Sequence, residues 1–391
     1  MGMFSARTEW DFQPNTLTSL LAEKRLQREE ILDLTESNPT RCGFDYQPQY
    51  TLEALSTRRS LVYEPHPKGI LSARSAVAEY YARQGIDVNP DHIILTAGTS
   101  EAYTFLLRLL CNGRDSVALV KPGYPLLEYL CQMNDVVGRH VHLQYDQGWH
   151  LDLDALKVEL AARAKAVALV HPNNPTGSTI RHHEREAIVT AVNSTGAALL
   201  VDEVFHPFQG DATTPLAPSF ASNRDCLTFT MNGISKLLGL PQFKLAWIVV
   251  SGPPAEVEVA VARLEMIGDL FLSVGTPIQQ ALPVLLQDPA GLTGQIKERV
   301  GKNRANLSAK SDKVSAVELL GEEGGWYAVL RLPRVRTDEE WAHLFLKDLN
   351  ILVHPGCLFD FEDEAIVVVS LLQKEEIFQR AVEGVLSMVD V

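Results

Sequence analysis

Residues 166–204 read AVALVHPNNPTGSTIRHHEREAIVTAVNSTGAALLVDEV. Two apolar runs, AVALV from Ala166 and ALLVDEV from Ala198, each end abruptly in polar residues. Short apolar runs bounded by turn signals suit strands buried on both faces. Similar runs recur: IILTA from Ile93, SVALV from Ser116, LTFTMNG from Leu227 and AWIVV from Ala246. Helix-period segments separate some of them. In EAYTFLLRLL, from Glu101, the residues Ala102, Phe105, Leu106 and Leu109 share one face. Strands alternating with helices predict an α/β domain with a mainly parallel central sheet sandwiched by helices, over about residues 45–275.

The rest of the chain reads differently. TDEEWAHLFLKDLN opens with a capping box, Thr337 and Glu340, and runs into an amphipathic helix. Strand-like ILVHPG and IVVVSLL follow, then a last helix from about Glu375. The first 44 residues carry a candidate helix from Leu17 to about Glu30 and the polar turn ESNPTRCGF. Residues 1–44 and 276–391 are therefore expected to form a smaller α+β domain beside the large one.

Composition narrows the function. The chain has 391 residues, 46% hydrophobic and 21% charged, as a globular protein of two domains would have. Its 49 acidic against 35 basic residues give a formal net charge of -14. Such a field is a poor match for nucleic acid or an anionic membrane. The five cysteines are scattered without a CxxC pair, as in a reducing cytoplasm. No signal-peptide pattern and no membrane-length apolar run is visible, so a cytoplasmic location is expected.

Four features at strand ends carry chemistry. In TAGTSEA, Gly98, Thr99 and Ser100 lie between a strand and a helix, where backbone N–H groups can receive an anion or simply begin a helix. In HPNNPTG, Pro175 and Gly177 make a tight turn that could hold Asn174 over a pocket at the strand ends. In LLVDEV, Asp202 ends an apolar strand, and a buried carboxylate needs a partner. A helix cap, a metal or a cationic ligand atom would serve. Metal binding is the weak option, because only His206 is near and ligand spacing is missing. Finally, GISKLLGLPQFKLAW holds Lys236 and Lys244 eight residues apart among apolar neighbours. An apolar setting disfavours the ammonium and makes a lysine nucleophilic near neutral pH.

Taken in order, these features resemble the class I and II aminotransferases, pyridoxal-phosphate enzymes of the aspartate aminotransferase fold. The resemblance rests on YEPHPKGILSARSAVAEYY, TAGTSEA, KPGYP, NNPTG, VDEVF, GISK and HPGCLF, and spans nearly the whole chain. It implies that Lys236 forms the Schiff base with pyridoxal 5'-phosphate and later shuttles a proton. It implies that Asp202 pairs with the pyridine nitrogen, Asn174 donates to the ring's phenolic oxygen and Tyr124 stacks on the ring. Gly98, Thr99, Ser100 and Ser235 would bind the phosphate. Tyr63 would reach the phosphate of a second subunit, in a homodimer with shared active sites. A small-molecule amino donor and a keto acceptor would be the partners.

Three positions depart from the family pattern. Lys244 stands where relatives carry a phosphate-binding Arg, supplying charge without a bidentate fork. Phe205 stands where relatives usually have a Tyr. Val368 stands where the family's Arg would take the substrate carboxylate, so either the substrate is an amine or ω-amino compound without a carboxylate there, or another cation replaces the Arg, Arg41 first and Lys68 second. Cofactor residues alone do not separate an aminotransferase from a lyase, decarboxylase or racemase of the same fold; a non-catalytic ligand-binding protein is the other alternative, against which the complete set of Lys236, Asp202 and Asn174 argues. Of the histidines that could approach the cleft, His171, His183 and His206 read as structural or solvated, and His354 as the one beside the substrate mouth. Trp326 reads as a pocket wall or a core aromatic.

Overall fold

The computed structural model describes residues 3–210, 217–272, 274–321 and 323–390. Its large sheet has eight strands. In spatial order they are Ile93–Thr96, Ala246–Ser251, Thr228–Gly233, Ala198–Asp202, Ala166–Val170, Ser116–Lys121, Val137–Tyr145 and Trp149–Leu151. Ala246–Ser251 runs antiparallel to both neighbours, and Trp149–Leu151 is antiparallel at the far edge. The other six point one way, so their carboxyl ends share one side of the sheet. All six apolar runs singled out in the sequence lie in this sheet.

Helices cover both faces because the strands are apolar on both. On one face Ile94, Phe229 and Ile248 meet Phe105 and Leu106 of the helix Thr99–Leu110 and Leu264 of Pro254–Phe271. On the other, Val167, Leu199 and Val201 meet Leu156 and Leu160 of Leu153–Ala161 and Ile188 and Val192 of His182–Thr195. Along Thr99–Leu110, Tyr103 and Leu107 are buried, whereas Leu109 is only partly covered. A third cluster packs the helix Thr276–Leu285 onto Leu71–Ala82 beside the buried Trp247.

A second sheet of four antiparallel strands has the order Glu318–Leu320, Tyr327–Arg331, Ile366–Ser370 and His354–Pro355. The N-terminal segment joins this part: Leu32–Asp33 pairs in parallel with Ile351–Leu352. Leu34 and Cys42 enter the same core as Trp326, Phe345, Val367 and Phe378. The capping box forms, with the Thr337 side chain accepting from the Glu340 N–H at 3.2 Å and the Glu340 carboxylate accepting from the Thr337 N–H at 2.9 Å. The first long helix, Thr16–Leu26, is capped by Asn15 and stops short of Glu30, because Arg28 takes a left-handed conformation (φ 60°). No helix among the described residues is long and apolar enough to cross a membrane.

Candidate active site

The loops that leave the common strand edge surround a cavity of about 430 Å³. That size suits a small organic ligand. Thr99, Tyr124, Asn174, Asp202, Val204, Phe205 and Lys236 line it from the large sheet. Thr35, Ser37, Tyr327, His354, Leu358 and Phe359 close it from the N-terminal segment and the second sheet.

Lys236 sits in the short helix Ile234–Leu237, one turn beyond its strand. The glycine before that helix is required by a close approach. A Cβ on Gly233 would lie 2.8 Å from the Ala246 Cβ and 3.0 Å from the Leu245 carbonyl oxygen. The Lys236 Nζ lies 5.0 Å from the centre of the Trp326 ring and 5.8 Å from that of Phe205. Burial among these rings lowers its pKa to about 8, against the pull of the Asp202 charge. About a tenth of the amine is thus uncharged at pH 7, far more than for an ordinary lysine.

Asp202 ends its strand with a buried carboxylate that accepts from the Val204 N–H at 3.1 Å. Burial raises its pKa to about 7, opposed by that hydrogen bond and the Lys236 charge. A carboxylate buried so deeply favours a cationic partner, and the Lys236 charge alone leaves it close to neutrality.

Asn174 is carried by a loop that its neighbour organises. The Asn173 carboxamide oxygen accepts from the Thr176 N–H at 3.2 Å and hydroxyl at 2.9 Å, and its amide donates to the Pro122 carbonyl at 3.3 Å. Gly177 completes the turn in a left-handed conformation (φ 67°). Asn174 itself keeps a buried carboxamide oxygen with no hydrogen-bond partner. The sequence singled out Asn174 but not Asn173, although the side chain-to-backbone turn of an Asn-Asn-Pro-Thr-Gly run could have suggested it.

Thr99 starts a 12-residue helix whose N-cap, Gly98, offers no side-chain cap. Its first N–H groups are available to an anion at the positive end of the helix dipole. Gly98 and Ser100 flank Thr99, and the half-buried Ser235 precedes Lys236. Lys244 and Tyr63 do not line the cavity: Lys244 is exposed in a left-handed turn (φ 53°), and Tyr63 is 76% exposed.

The remaining candidates separate cleanly. Arg41 points away, with its side chain 75% exposed and 3.8 Å from Glu36. Lys68 pairs with Glu265 at 3.8 Å and Asp91 at 4.0 Å. Neither lines the cavity. His171 is fully buried, its Nδ1 accepting from the Ile180 N–H at 3.1 Å, with His206 packed edge-on; His183 is exposed. Trp326 is a core residue whose ring also faces the Lys236 amine. Among the described residues no cluster of His, Cys, Asp and Glu is arranged to hold a metal.

A buried amine near its neutral point, a buried carboxylate and an uncapped helix N-terminus around one cavity define a cofactor enzyme of the aldehyde-and-lysine type. The residues fit pyridoxal 5'-phosphate: the helix end suits the phosphate, the Asp202 carboxylate a ring cation and the unpartnered Asn174 carboxamide a polar ring substituent. The family model for aminotransferases of class I and II matches residues 29–381. The chain belongs to that family, and it is a pyridoxal-phosphate-dependent aminotransferase. It is 28% identical over 354 residues to glutamate-pyruvate aminotransferase AlaA of Escherichia coli K12, covering 86% of this chain and 85% of the relative. It is also 28% identical over 352 residues to an alanine aminotransferase of Mycobacterium tuberculosis H37Rv, covering 86% and 81%. Among solved structures, an alanine aminotransferase from Pyrococcus furiosus superposes with a TM-score of 0.89 at 20% identity over 99% of each chain. An aminotransferase from Escherichia coli gives 0.88 at 22% identity, covering 99% of this chain and 98% of the other.

Proposed function

We propose that this aminotransferase moves the amino group of a small α-amino acid to a 2-keto acid such as pyruvate. The observation that carries the site assignment is the single cavity shared by Lys236, Asp202, Asn174, Thr99 and Tyr124. The names of the relatives, alanine and glutamate-pyruvate aminotransferases, support the substrate class. Pyridoxal phosphate supplies an aldehyde that lysine amines attack and a ring that withdraws electrons from the substrate. Lys236 would hold the cofactor and, once freed, would carry a proton from the substrate Cα. An amine at about 8 can do both near neutral pH. Asp202 would keep the ring nitrogen protonated, Asn174 would orient the ring, and Tyr124 would pack against it. The helix end at Gly98, Thr99 and Ser100 would hold the phosphate together with Ser235, whereas exposed Lys244 would add only a more distant positive charge. Exposed Tyr63 serves the phosphate site of a second copy in a homodimer. We further propose a cytoplasmic location, and a division into a large domain, residues 45–275, and a small domain of residues 1–44 and 276–391.

The test is to mix the loaded enzyme with single amino acids. L-Alanine or L-glutamate should abolish the visible absorbance of the bound cofactor, and pyruvate should restore it. Release of ammonia or carbon dioxide with the visible band unchanged would overturn amino transfer for that donor.

Phe205 makes a second prediction. It lines the cavity, is buried, and packs edge-on against Trp326 at 5.5 Å. A phenol there could donate to the ring oxygen and favour its ionised form, which a phenyl group cannot do. Phe205→Tyr should therefore lower the pKa read from the cofactor absorbance by roughly one unit. An unchanged or raised value would mean that the new hydroxyl does not reach that oxygen.

A further inference from the structure

Val368 leaves the expected carboxylate partner missing, and the fold shows what stands beside it. Val368 lies on the strand Ile366–Ser370, fully buried. His354 is its direct partner across the antiparallel pair, so the two side chains share one face of the sheet. On the same strand Tyr327 pairs with Ser370, two residues on, and both His354 and Tyr327 line the cavity. Lys121 also lines the cavity, but its ammonium is taken by Asp360 and by Glu128 at 3.2 Å. Apart from Lys236, His354 is then the basic side chain lining the cavity that has no described carboxylate within ion-pair distance.

Resting on the amino-acid reading above, we propose that His354 receives the substrate carboxylate, in place of the arginine that Val368 displaces. The imidazole takes one proton from solvent as the carboxylate arrives, and no bond other than that N–H forms. Its surroundings allow the exchange. Burial lowers the imidazole pKa, while the Asp33 charge and the Thr35 backbone raise it. The Phe359 ring lies edge-on at 5.6 Å. Behind it, the helix Asp338–Leu349 turns its Asp338 carboxylate to the Cys357 N–H. An arriving carboxylate adds a second negative neighbour and tips the ring to imidazolium. An ion pair formed in this enclosed site is far less screened than one at the surface.

The experiment uses the loaded enzyme, with L-alanine and its carboxylate-free counterpart ethylamine as donors. In His354→Ala, KM for L-alanine should rise at least tenfold with kcat changed less than threefold, and kcat/KM for ethylamine should stay within threefold. His354→Arg should recover most of the lost affinity and remove its decline with rising pH. The cofactor absorbance band and the circular dichroism of each variant confirm that the site and fold persist. A KM for L-alanine within threefold of wild type in His354→Ala overturns the assignment, as does an equal loss for both donors. Failure of the underlying reading would show instead in the wild type, as preference for ethylamine over L-alanine, and would overturn the anchor with it.

Discussion

Replacing Lys236 by alanine is expected to lower turnover by at least about a thousandfold, because in the proposed mechanism one group supplies both covalent attachment and proton transfer. The variant should still fold and still bind pyridoxal phosphate. The uncapped helix end, the Asp202 carboxylate and the Asn174 carboxamide remain in place. The packing of Trp326 and Phe205 belongs to the core and does not depend on the lysine. Borohydride should then fix no cofactor to the chain, and mass spectrometry of the reduced, unfolded protein should show the unmodified mass. Covalent attachment at another position such as Lys244 would remove Lys236 from its role.

Replacing Asp202 by asparagine is expected to cost roughly a hundredfold or more in kcat, as loss of a preorganised charge partner does elsewhere. KM should change little, since in the proposed role Asp202 would act on the ring and not on the substrate. The same variant has a distinct signature without cofactor. The folded Asp202 pKa is raised to about 7 by burial, above its ordinary 3.8. A raised folded pKa means that the cofactor-free fold binds this proton more tightly than the unfolded chain. The resulting stability is fully present below about pH 4 and is lost as the pH climbs through 7. Each unit corresponds to about 1.4 kcal/mol, so the slope should be measurable in thermal melts. Asp202→Asn should flatten this decline between pH 4 and 7 and melt no lower than wild type at pH 7.5. A turnover near wild type, or an unchanged pH slope, would show that another group serves the ring nitrogen or that the carboxylate is paired within the protein.

Much of this protein was readable without coordinates, for a local reason. Each strand of a two-sided α/β sheet is a short apolar run, and each functional turn follows its strand within a few residues. Asp202 is the last residue of its strand, and Lys236 lies three residues past Gly233. Thr99 opens the helix three residues after Thr96. Sequence order therefore carries spatial order along the shared edge. The capping box at Thr337 was legible on the same ground, since both of its hydrogen bonds join residues three apart.

What the sequence left open involves partners far apart in the chain. Arg41 follows a turn that does reach the cavity, through Thr35 and Ser37, yet its own side chain leaves toward solvent and Glu36. Side-chain direction in a loop depends on packing that no local pattern encodes. Trp326 could be read as wall or core, and it is both, because the core of the second sheet extends to Phe205 and brings the ring against Lys236. His354 and Val368 are fourteen positions apart, and only strand register sets them face to face. By itself the sequence determined the sheet and the shared edge to which Asp202 and Lys236 come, because these follow from periodicity and from chain order. Only the tertiary structure decided which other side chains line the cavity, because those contacts are fixed by the seam where the N-terminal segment and the second sheet close over the strand ends.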